Sequence, residues 1–342
     1  PLQGERDFRE FSWHYLARLV EMDGYEIDLA KGDVETTRFS PNGELLAAGG
    51  RDGLIRIYHW PGVSAATMIQ SGQGRVNDLS FAPNGHKLVT AGQDGTIRVW
   101  ALEGGELRQE GNAIEAHSGP VTGVAFADAG SLLVSCGRDG RILVWDAKLL
   151  EDGSQFSRDE LLKVPLDGHQ DAVQALAVSP DDRTLASASD DATLRVWDLK
   201  EERLLETISL DRARVVCVAW SQDGKRVLTG CADGTVILWE AATGRHMHMW
   251  RGYSGDNAEV SGAPDPIKPG YKSSLAMSPD GGLVAFCARD VRPGFYDAIT
   301  AKEIDHQLPG SARTAPIALA FSGDGRYLVC GDKDGNIHLH DG

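Results

Sequence analysis

The chain has 342 residues, of which 42% are hydrophobic, so it is long enough to bury a large core. It carries 34 Lys and Arg against 50 Asp and Glu, a formal net charge of −16, which excludes general attraction to nucleic acid or anionic membranes. No apolar run reaches the length of a membrane span, and the N-terminus lacks a signal-peptide core, so we expect a cytoplasmic protein without a membrane partner.

Residues 1–23 differ in pattern from the rest of the chain. Apolar residues recur there at helical spacing with charged residues between them, at Phe8, Phe11, Tyr15, Leu16, Leu19 and Val20. We expect an amphipathic helix over about 7–21. Two roles stay open for it: packing on the side of the following domain, or joining it to an upstream domain of the same polypeptide.

From Gly24 to Gly342 one pattern repeats: an apolar strand, a Ser-Pro-Asn-Gly-like turn, a second strand, an Asp-Gly hairpin and a third strand. The first strands begin near Val34, Val76, Val121, Val173, Val215, Lys272 and Pro316. Most of their spacings fit the period of about 40–45 residues that is typical of propeller blades. The two longest units contain insertions, at about 148–163 and 251–270.

The third strand of four units closes on a Trp, at Trp100, Trp145, Trp197 and Trp239. Asp follows at Asp146 and Asp198. With these residues and turns, the chain resembles the WD-repeat (WD40) family over roughly 24–342. The resemblance implies an all-β fold, a seven-bladed β-propeller of four-stranded antiparallel blades, preceded by the helix or linker at 1–23.

The last unit stops directly after its third strand. The segment from Tyr25 to Ala30 precedes the first unit and has the composition of a spare outer strand. One blade cannot bury both faces alone, so we expect this segment to complete blade seven and close the ring. Its deletion should leave an unpaired, aggregation-prone edge.

Ser, His and Asp recur together in the unit from Asp167 to Asp198, which invites a hydrolase interpretation. The residues are His169, Ser187 (or Ser189), Asp191 and Trp197, and unit three repeats them as His117, Ser135, Asp139 and Trp145. The family resemblance implies that each set is a buried structural hydrogen-bond chain. Two copies and the lack of a GxSxG elbow favour architecture over catalysis, so we predict no enzyme and no cofactor. The other five units lack the His or the Trp and should depend more on packing.

Two residue types are candidates for metal binding. His246 and His248 would share one face of a strand, as a pair of metal ligands does, but no third donor is near in sequence. The five cysteines, Cys136, Cys217, Cys231, Cys287 and Cys330, form no CxxC pair. We expect a solvated strand face at the histidines, reduced core thiols, and no metal site.

Propellers of the WD-repeat family commonly receive partners at the rim shared by two sets of loops. These loops precede the first strand and join the second strand to the third. The residue before each hairpin Asp should lie near this rim. On blades six, seven and one these residues are Arg289, Lys333 and Arg51, which predicts a basic arc, and Arg138 holds the same position in blade three. Arg292, Lys268 and Lys272 would extend the arc. A basic arc on an acidic protein predicts an acidic peptide or protein partner. The alternative is that hairpin turns tolerate any polar residue there.

The combined pattern favours a non-catalytic protein–protein interaction platform, acting as a scaffold or as the sensor or regulatory domain of a signalling complex. Two other classes stay open. A propeller hydrolase or lyase would need acids, His or metal ligands converging at the channel mouth. A reader of peptide tails or nucleic acid through the basic rim would bind in a salt-dependent way, although the net charge disfavours nucleic acid.

Overall fold

The structure is a computed structural model that describes residues 25–28, 33–60, 64–150, 157–210, 213–251, 273–288, 291–304 and 316–341. These residues form seven four-stranded antiparallel sheets, which are the blades of a propeller. Blade one contains β2 (Val34–Phe39), β3 (Leu45–Gly50), β4 (Leu54–His59) and β5 (Ser64–Gln70). Blade two contains β6 (Val76–Phe81), β7 (Lys87–Gly92), β8 (Thr96–Glu103) and β9 (Glu106–Glu115). Blade three contains β10 (Val121–Ala127), β11 (Leu132–Gly137), β12 (Ile142–Asp146) and β13 (Leu162–Pro165).

The remaining blades follow the same order. Blade four contains β14 (Val173–Val178), β15 (Thr184–Ser189), β16 (Thr193–Asp198) and β17 (Arg203–Ser209). Blade five contains β18 (Val215–Trp220), β19 (Arg226–Cys231), β20 (Thr235–Glu240) and β21 (Arg245–Arg251). Blade six contains β22 (Ser273–Met277), β23 (Leu283–Ala288), β24 (Val291–Asp297) and β25 (Glu303–Ile304). Blade seven contains β26 (Pro316–Phe321), β27 (Tyr327–Asp332), β28 (Asn336–Asp341) and β1 (Tyr25–Asp28).

The seven-bladed fold implied by the repeats is therefore confirmed, with first strands at the expected places. Only the sixth begins one residue later, at Ser273 instead of Lys272. In blade one, the Ser40 hydroxyl stabilises the turn after the first strand, because it donates to Asn42 and accepts from the Leu45 amide. Blades four to seven repeat this arrangement with an Asp in place of Asn42, which explains the recurring Ser-x-Asp spacing.

The first strands line the ring axis, and each contacts the first strand of the next blade, including β26 against β2. The hydrophobic clusters lie between blades: one joins Ile55 and Ile57 of blade one to Val76, Leu79 and Trp100 of blade two. Since each blade face is covered by its neighbour, burial of apolar area stabilises the ring as a whole.

The two ends of the chain meet in blade seven. Strand β1 pairs antiparallel with β28, with Tyr25 opposite Leu339 and Asp28 opposite Asn336. The cluster that packs blade seven against blade one contains Val34 and Tyr58 on one side and Leu339 on the other. The outer edge of the last blade is thus covered by residues that precede the first blade in sequence.

Part of the insertion at 148–163 is helical. A 3₁₀ helix covers Ala147–Leu150, and a single α-helical turn, α1, covers Arg158–Leu161 with a capping box between Ser157 and Glu160. The expected helix at 7–21 and residues 252–270 of the second insertion lie outside the described residues. In the described part of the chain, no helix has the length and apolar character needed to cross a membrane.

All five cysteines are buried and free. Burial raises the pKa of the Cys231, Cys287 and Cys330 thiols well above the usual range. Because the thiolate is the reactive form, these cysteines act as small core residues.

The pairing of β1 with β28 can be tested by an engineered disulfide. Directly opposed residues of an antiparallel pair place their Cβ atoms about 4.5–5.5 Å apart. We expect Tyr25→Cys combined with Leu339→Cys to link the chain into a closed loop under mild oxidation. Intact mass and mapping of the linked peptide measure the yield, and the buried native thiols should not compete.

The matched control keeps Leu339→Cys and moves the other cysteine by one position, to Glu26→Cys. A shift of one residue places the side chain on the opposite face of the strand, so this pair should not link. Equal linking by the two pairs would contradict the register.

Candidate functional site

The Ser, His, Asp and Trp residues of blades three and four form one hydrogen-bond chain in each blade. In blade four, Trp197 Nε1 donates to Ser187 Oγ at 2.8 Å, and Ser187 Oγ lies 2.8 Å from His169 Nε2. His169 Nδ1 lies 2.8 Å from Asp191 Oδ2, which also accepts from the Gln170 amide. The chain links the third strand, the second strand, the entry loop and the hairpin of one blade.

Blade three contains the same connections. Trp145 donates to Ser135 at 2.9 Å, Ser135 lies 2.8 Å from His117 Nε2, and His117 Nδ1 lies 2.9 Å from Asp139. The geometry fits a neutral imidazole that accepts from the Ser hydroxyl and donates from Nδ1 to the carboxylate.

The pKa shifts agree with this protonation pattern. Burial lowers the pKa of His169, although the nearby Asp191 opposes that shift. Burial alone would raise the pKa of Asp191, but hydrogen bonds from Thr193, Gln170 and His169 outweigh it and lower the value to about 2. The carboxylate therefore stays ionised and the imidazole stays neutral near pH 7.

These sets are closed to any substrate. The side chains of His117 and His169 are 0% and 1% exposed, and Ser135 and Ser187 are fully buried. A nucleophilic Ser must reach a substrate carbonyl and an oxyanion-binding group. What the arrangement does is satisfy buried polar groups and fix the hairpin to the blade.

Blade two contains a related set that was not expected. Gln73 takes the place of the His: its Nε2 donates to the Thr96 carbonyl at 2.9 Å, and Thr90 Oγ1 donates to its Oε1 at 2.6 Å. Trp100 then donates to Thr90 at 3.0 Å. The sequence did contain a signal for this set, because Thr90 and Trp100 have the same separation along the chain as Ser187 and Trp197 in blade four.

Blades one and seven are each braced by a buried pair that contains a carboxylate. In blade one, the buried Arg56 guanidinium contacts the Asp52 carboxylate at 2.5 Å. In blade seven, His338 Nε2 lies 2.8 Å from the fully buried Asp332. Blades one, two and seven, which were expected to depend more on packing, thus also contain polar bracing from other residue types.

The two histidines of β21 do not share a face. A β-bulge in the pairing of β20 with β21 places His246 against Trp239 and His248 against Trp250. Trp239 packs toward blade four and Trp250 toward blade six. Strict alternation along the strand was the wrong assumption, since a bulge inserts one residue and reverses the face. In the described residues, no group of three His, Cys, Asp or Glu side chains is arranged to hold a metal ion.

One end of the ring, here called the upper rim, is formed by the loops before the first strands and the hairpins between the second and third strands. Backbone hydrogen bonds join the two loops: Arg51 N donates to the Asp33 carbonyl, and Arg138 N donates to the Pro120 carbonyl. The residue before each hairpin Asp therefore lies beside the start of the first strand, in blades one to five.

Three arginines from neighbouring blades share the upper rim. Arg51 pairs with Asp33 at 3.1 Å, and Arg75 pairs with the buried Glu35 at 3.3 Å. Arg138 is exposed and makes no ion pair with any described residue. Burial lowers the pKa of Arg75, the carboxylates of Glu35 and Asp33 oppose that shift, and the positive charges of Arg51 and Arg138 lower it further. The guanidinium groups of Arg51 and Arg138 therefore each act on Arg75.

The expected basic arc is only partly described. Lys333 is half-buried at the hairpin of blade seven. Arg289, Lys268 and Lys272 lie outside the described residues, as does the side chain of Arg292. Arg75 was missed because only the residue before each hairpin Asp was considered, whereas Arg75 directly precedes a first strand. The residue before the first strand is also charged in blades one and five, where it is Asp33 and Arg214, so the sequence did indicate charges at this part of the rim.

The first strands enclose a central channel of about 550 Å³, here called the lumen. In blades one to five, the same position of the first strand lines the lumen. It is Arg38 in blade one and a small residue in blades two to five: Ser80, Ala125, Ala177 and Ala219. Arg38 Nη2 donates to Asp78 Oδ1 at 3.1 Å. Asp78 also accepts from the Thr36 hydroxyl and the Val124 amide, so this carboxylate joins blades one, two and three.

We expect Asp191→Asn to lower the free energy of unfolding by about 1–3 kcal/mol, because it leaves the buried His169 without its carboxylate. Urea unfolding at pH 7 measures the change. The matched control is Asp94→Asn in blade two, where the carboxylate accepts from Thr96 and has no His partner. Its effect should stay below about 1 kcal/mol.

The same comparison has a defined pH dependence. The pKa of Asp191 is lowered to about 2 in the folded chain, below its unfolded value of 3.8. Its contribution is therefore present above about pH 4 and is lost as the pH falls toward 2. The gap between Asp191→Asn and the parent should shrink over that range. A constant gap would contradict a role for the carboxylate charge.

Comparison with known proteins agrees with the propeller fold. A family model described as IFT122 first beta-propeller matches residues 75–342, and a model described as WD domain, G-beta repeat matches residues 27–59. Over 183 residues the chain is 27% identical to Autophagy-related protein 16 of Arabidopsis thaliana, covering 51% of this chain and 32% of that protein.

Two further relatives have similar identity. Over 204 residues the chain is 26% identical to a guanine nucleotide-binding protein subunit beta-like protein of Encephalitozoon cuniculi, covering 54% of this chain and 57% of that protein. Over 99 residues it is 29% identical to U3 small nucleolar RNA-interacting protein 2 of Homo sapiens, covering 26% and 21%. The chain spans less than two thirds of the length of each of these relatives. With a family model matching most of its length, the chain belongs to the WD40-repeat β-propellers, and specifically to the family of the first β-propeller of IFT122.

Proposed function

We propose that this propeller is a non-catalytic protein-interaction platform whose upper rim binds an acidic segment of a partner protein. The observation that carries the proposal is the group of Arg51, Arg75 and Arg138 on three consecutive blades of a chain with net charge −16. A local reversal of sign on an acidic surface attracts and orients an acidic partner.

The ion pairs at the rim support a binding role. Asp33 and Glu35 hold Arg51 and Arg75 in place, which reduces the side-chain entropy lost when a partner carboxylate binds. Arg138 contributes the one guanidinium of the three without a counterion among the described residues. Lys333, together with Arg289, Arg292, Lys268 and Lys272, would extend the surface toward blades six and seven.

A scaffold or regulatory role fits this site better than catalysis. Three carboxylates line the described lumen: Glu35 and Asp78 are each held in an ion pair, and Asp182 accepts a hydrogen bond from the Ala129 amide. A general acid or base needs a free proton-transfer position and a pKa near the working pH. A platform needs only a rigid ring and exposed loops.

RNA binding is the second candidate, since one relative is by name a small nucleolar RNA-interacting protein. Contacts to several phosphates would make affinity fall steeply with salt. The described rim offers few unpaired cations and lies on an acidic chain, so we favour a protein partner.

The proposal is tested by charge reversal at the two exposed rim arginines, Arg51→Glu with Arg138→Glu. We expect the variant to lose proteins that the parent chain captures from a lysate of its source, because a rim of reversed sign repels an acidic segment. Quantitative mass spectrometry of the captured proteins measures the loss, and a separate Arg289→Glu with Lys333→Glu variant measures how far the surface extends.

The matched control carries the same charge change elsewhere, at Arg203→Glu with Arg245→Glu on the exposed outer strands of blades four and five. It should retain the proteins that the rim variant loses. If the rim variant captures the same set as the parent, the upper rim is not the binding site.

A further inference from the structure

The lumen is lined by the Arg38 guanidinium and by three carboxylates, of which Asp182 lies in the turn after the first strand of blade four. The Asp78 and Glu35 side chains are 11% and 2% exposed, and both are held by guanidinium groups. The Arg38 side chain is 45% exposed. Two of its nitrogens donate to described acceptors, the Thr37 carbonyl and Asp78. A guanidinium carries more N–H groups than these, so donors remain for an anion.

The opposite wall of the lumen carries apolar side chains beside the polar side chains of Gln174, Asp182 and Gln222. Blades three to five contribute Val124, Phe126, Ala177, Val178 and Trp220. The small side chains at the ring positions equivalent to Arg38 leave space there instead of filling it. The apolar side chains of this wall, opposite the Arg38 guanidinium, suit a molecule with a negatively charged end and an apolar body.

A hydroxyl group of the lumen wall has no hydrogen-bond partner among the described residues. Ser273 Oγ, on the first strand of blade six, is buried and makes no hydrogen bond with any described residue. A buried hydroxyl without a partner carries a free-energy cost that a ligand oxygen would remove. The lumen volume of about 550 Å³ lies within the range of about 300–1,000 Å³ that is typical of small-molecule sites.

From these features we infer that the lumen is a binding site for an organic carboxylate with an apolar body, which contacts Arg38 through the carboxylate and the wall of blades three to five through the apolar part. This site is separate from the upper rim and does not depend on a partner there. The carboxylate has two sources with the same chemistry: a free small acid, or the C-terminal residue of a protein chain.

The experiment uses one probe for each source and titrates each into the full chain by calorimetry. The free acid is 4-phenylbutyrate, and the chain terminus is represented by N-acetyl-Gly-Gly-Phe with a free carboxylate. Each has a neutral control, 4-phenylbutanamide and the C-terminally amidated peptide. We expect at least one carboxylate to bind and its amide to bind at least tenfold more weakly. Binding by the acid alone identifies a small-molecule site, and binding by the peptide shows that a chain terminus can enter.

Substitutions then locate the binding. Arg38→Ser introduces the residue that blade two has at this position, Ser80, and should weaken carboxylate binding at least tenfold. Arg38→Lys keeps the charge and should retain most of it. Arg203→Ser removes an exposed arginine of the outer strand of blade four, away from the lumen, and should have no effect. Circular dichroism and thermal unfolding establish that each variant keeps the parent's fold.

Three results would overturn the inference. They are no binding of either carboxylate at millimolar concentration, equal binding of the amides, and undiminished binding by folded Arg38→Ser. If Arg38→Ser does not fold, Arg38→Gln replaces it, because it removes the charge and keeps a long polar side chain. At least tenfold weaker binding of the acids by folded Arg38→Gln, with Arg203→Ser unchanged, supports the site, and undiminished binding by Arg38→Gln overturns it.

Discussion

The constraint on which this structure depends is that a four-stranded blade can bury its two faces only against its neighbours. Each hydrophobic cluster therefore draws residues from two consecutive blades, as Ile57 and Trp100 do between blades one and two. An open row would expose two apolar faces, and the ring removes both. The last outer strand, Tyr25–Asp28, comes from the opposite end of the chain and makes the seam between blades seven and one.

Much of the fold could be predicted because its cause is local. Ser-Pro-Asn-Gly and Asp-Gly turns specify hairpins, and the hydroxyl and Trp of Ser187 and Trp197 lie on paired strands at a spacing that repeats in other blades. The residues that take the place of this set in other blades could not be predicted from one blade. Gln73 and the Arg56–Asp52 pair satisfy the same buried groups with different atoms, and the face reversal between His246 and His248 follows from a bulge that residue types do not reveal.

The functional surfaces were harder to predict because they depend on which blades are adjacent. Arg75 joins Arg51 and Arg138 only when three first strands stand side by side, and Arg38 is distinctive only against the small residues at the same position elsewhere in the ring. Different residues therefore stabilise the blades and bind partners. Buried polar sets inside the blades hold the hairpins in place, and the loops and the lumen carry the charges that partners can reach.

Closure of the ring is the central claim, and hydrogen exchange measured by mass spectrometry tests it most directly. If β1 completes blade seven, the amides of Tyr25–Asp28 that pair with β28 should be protected to the same degree as the outer strand of blade four, Arg203–Ser209. Exchange of Tyr25–Asp28 within seconds, with Arg203–Ser209 still protected, would contradict closure by this strand.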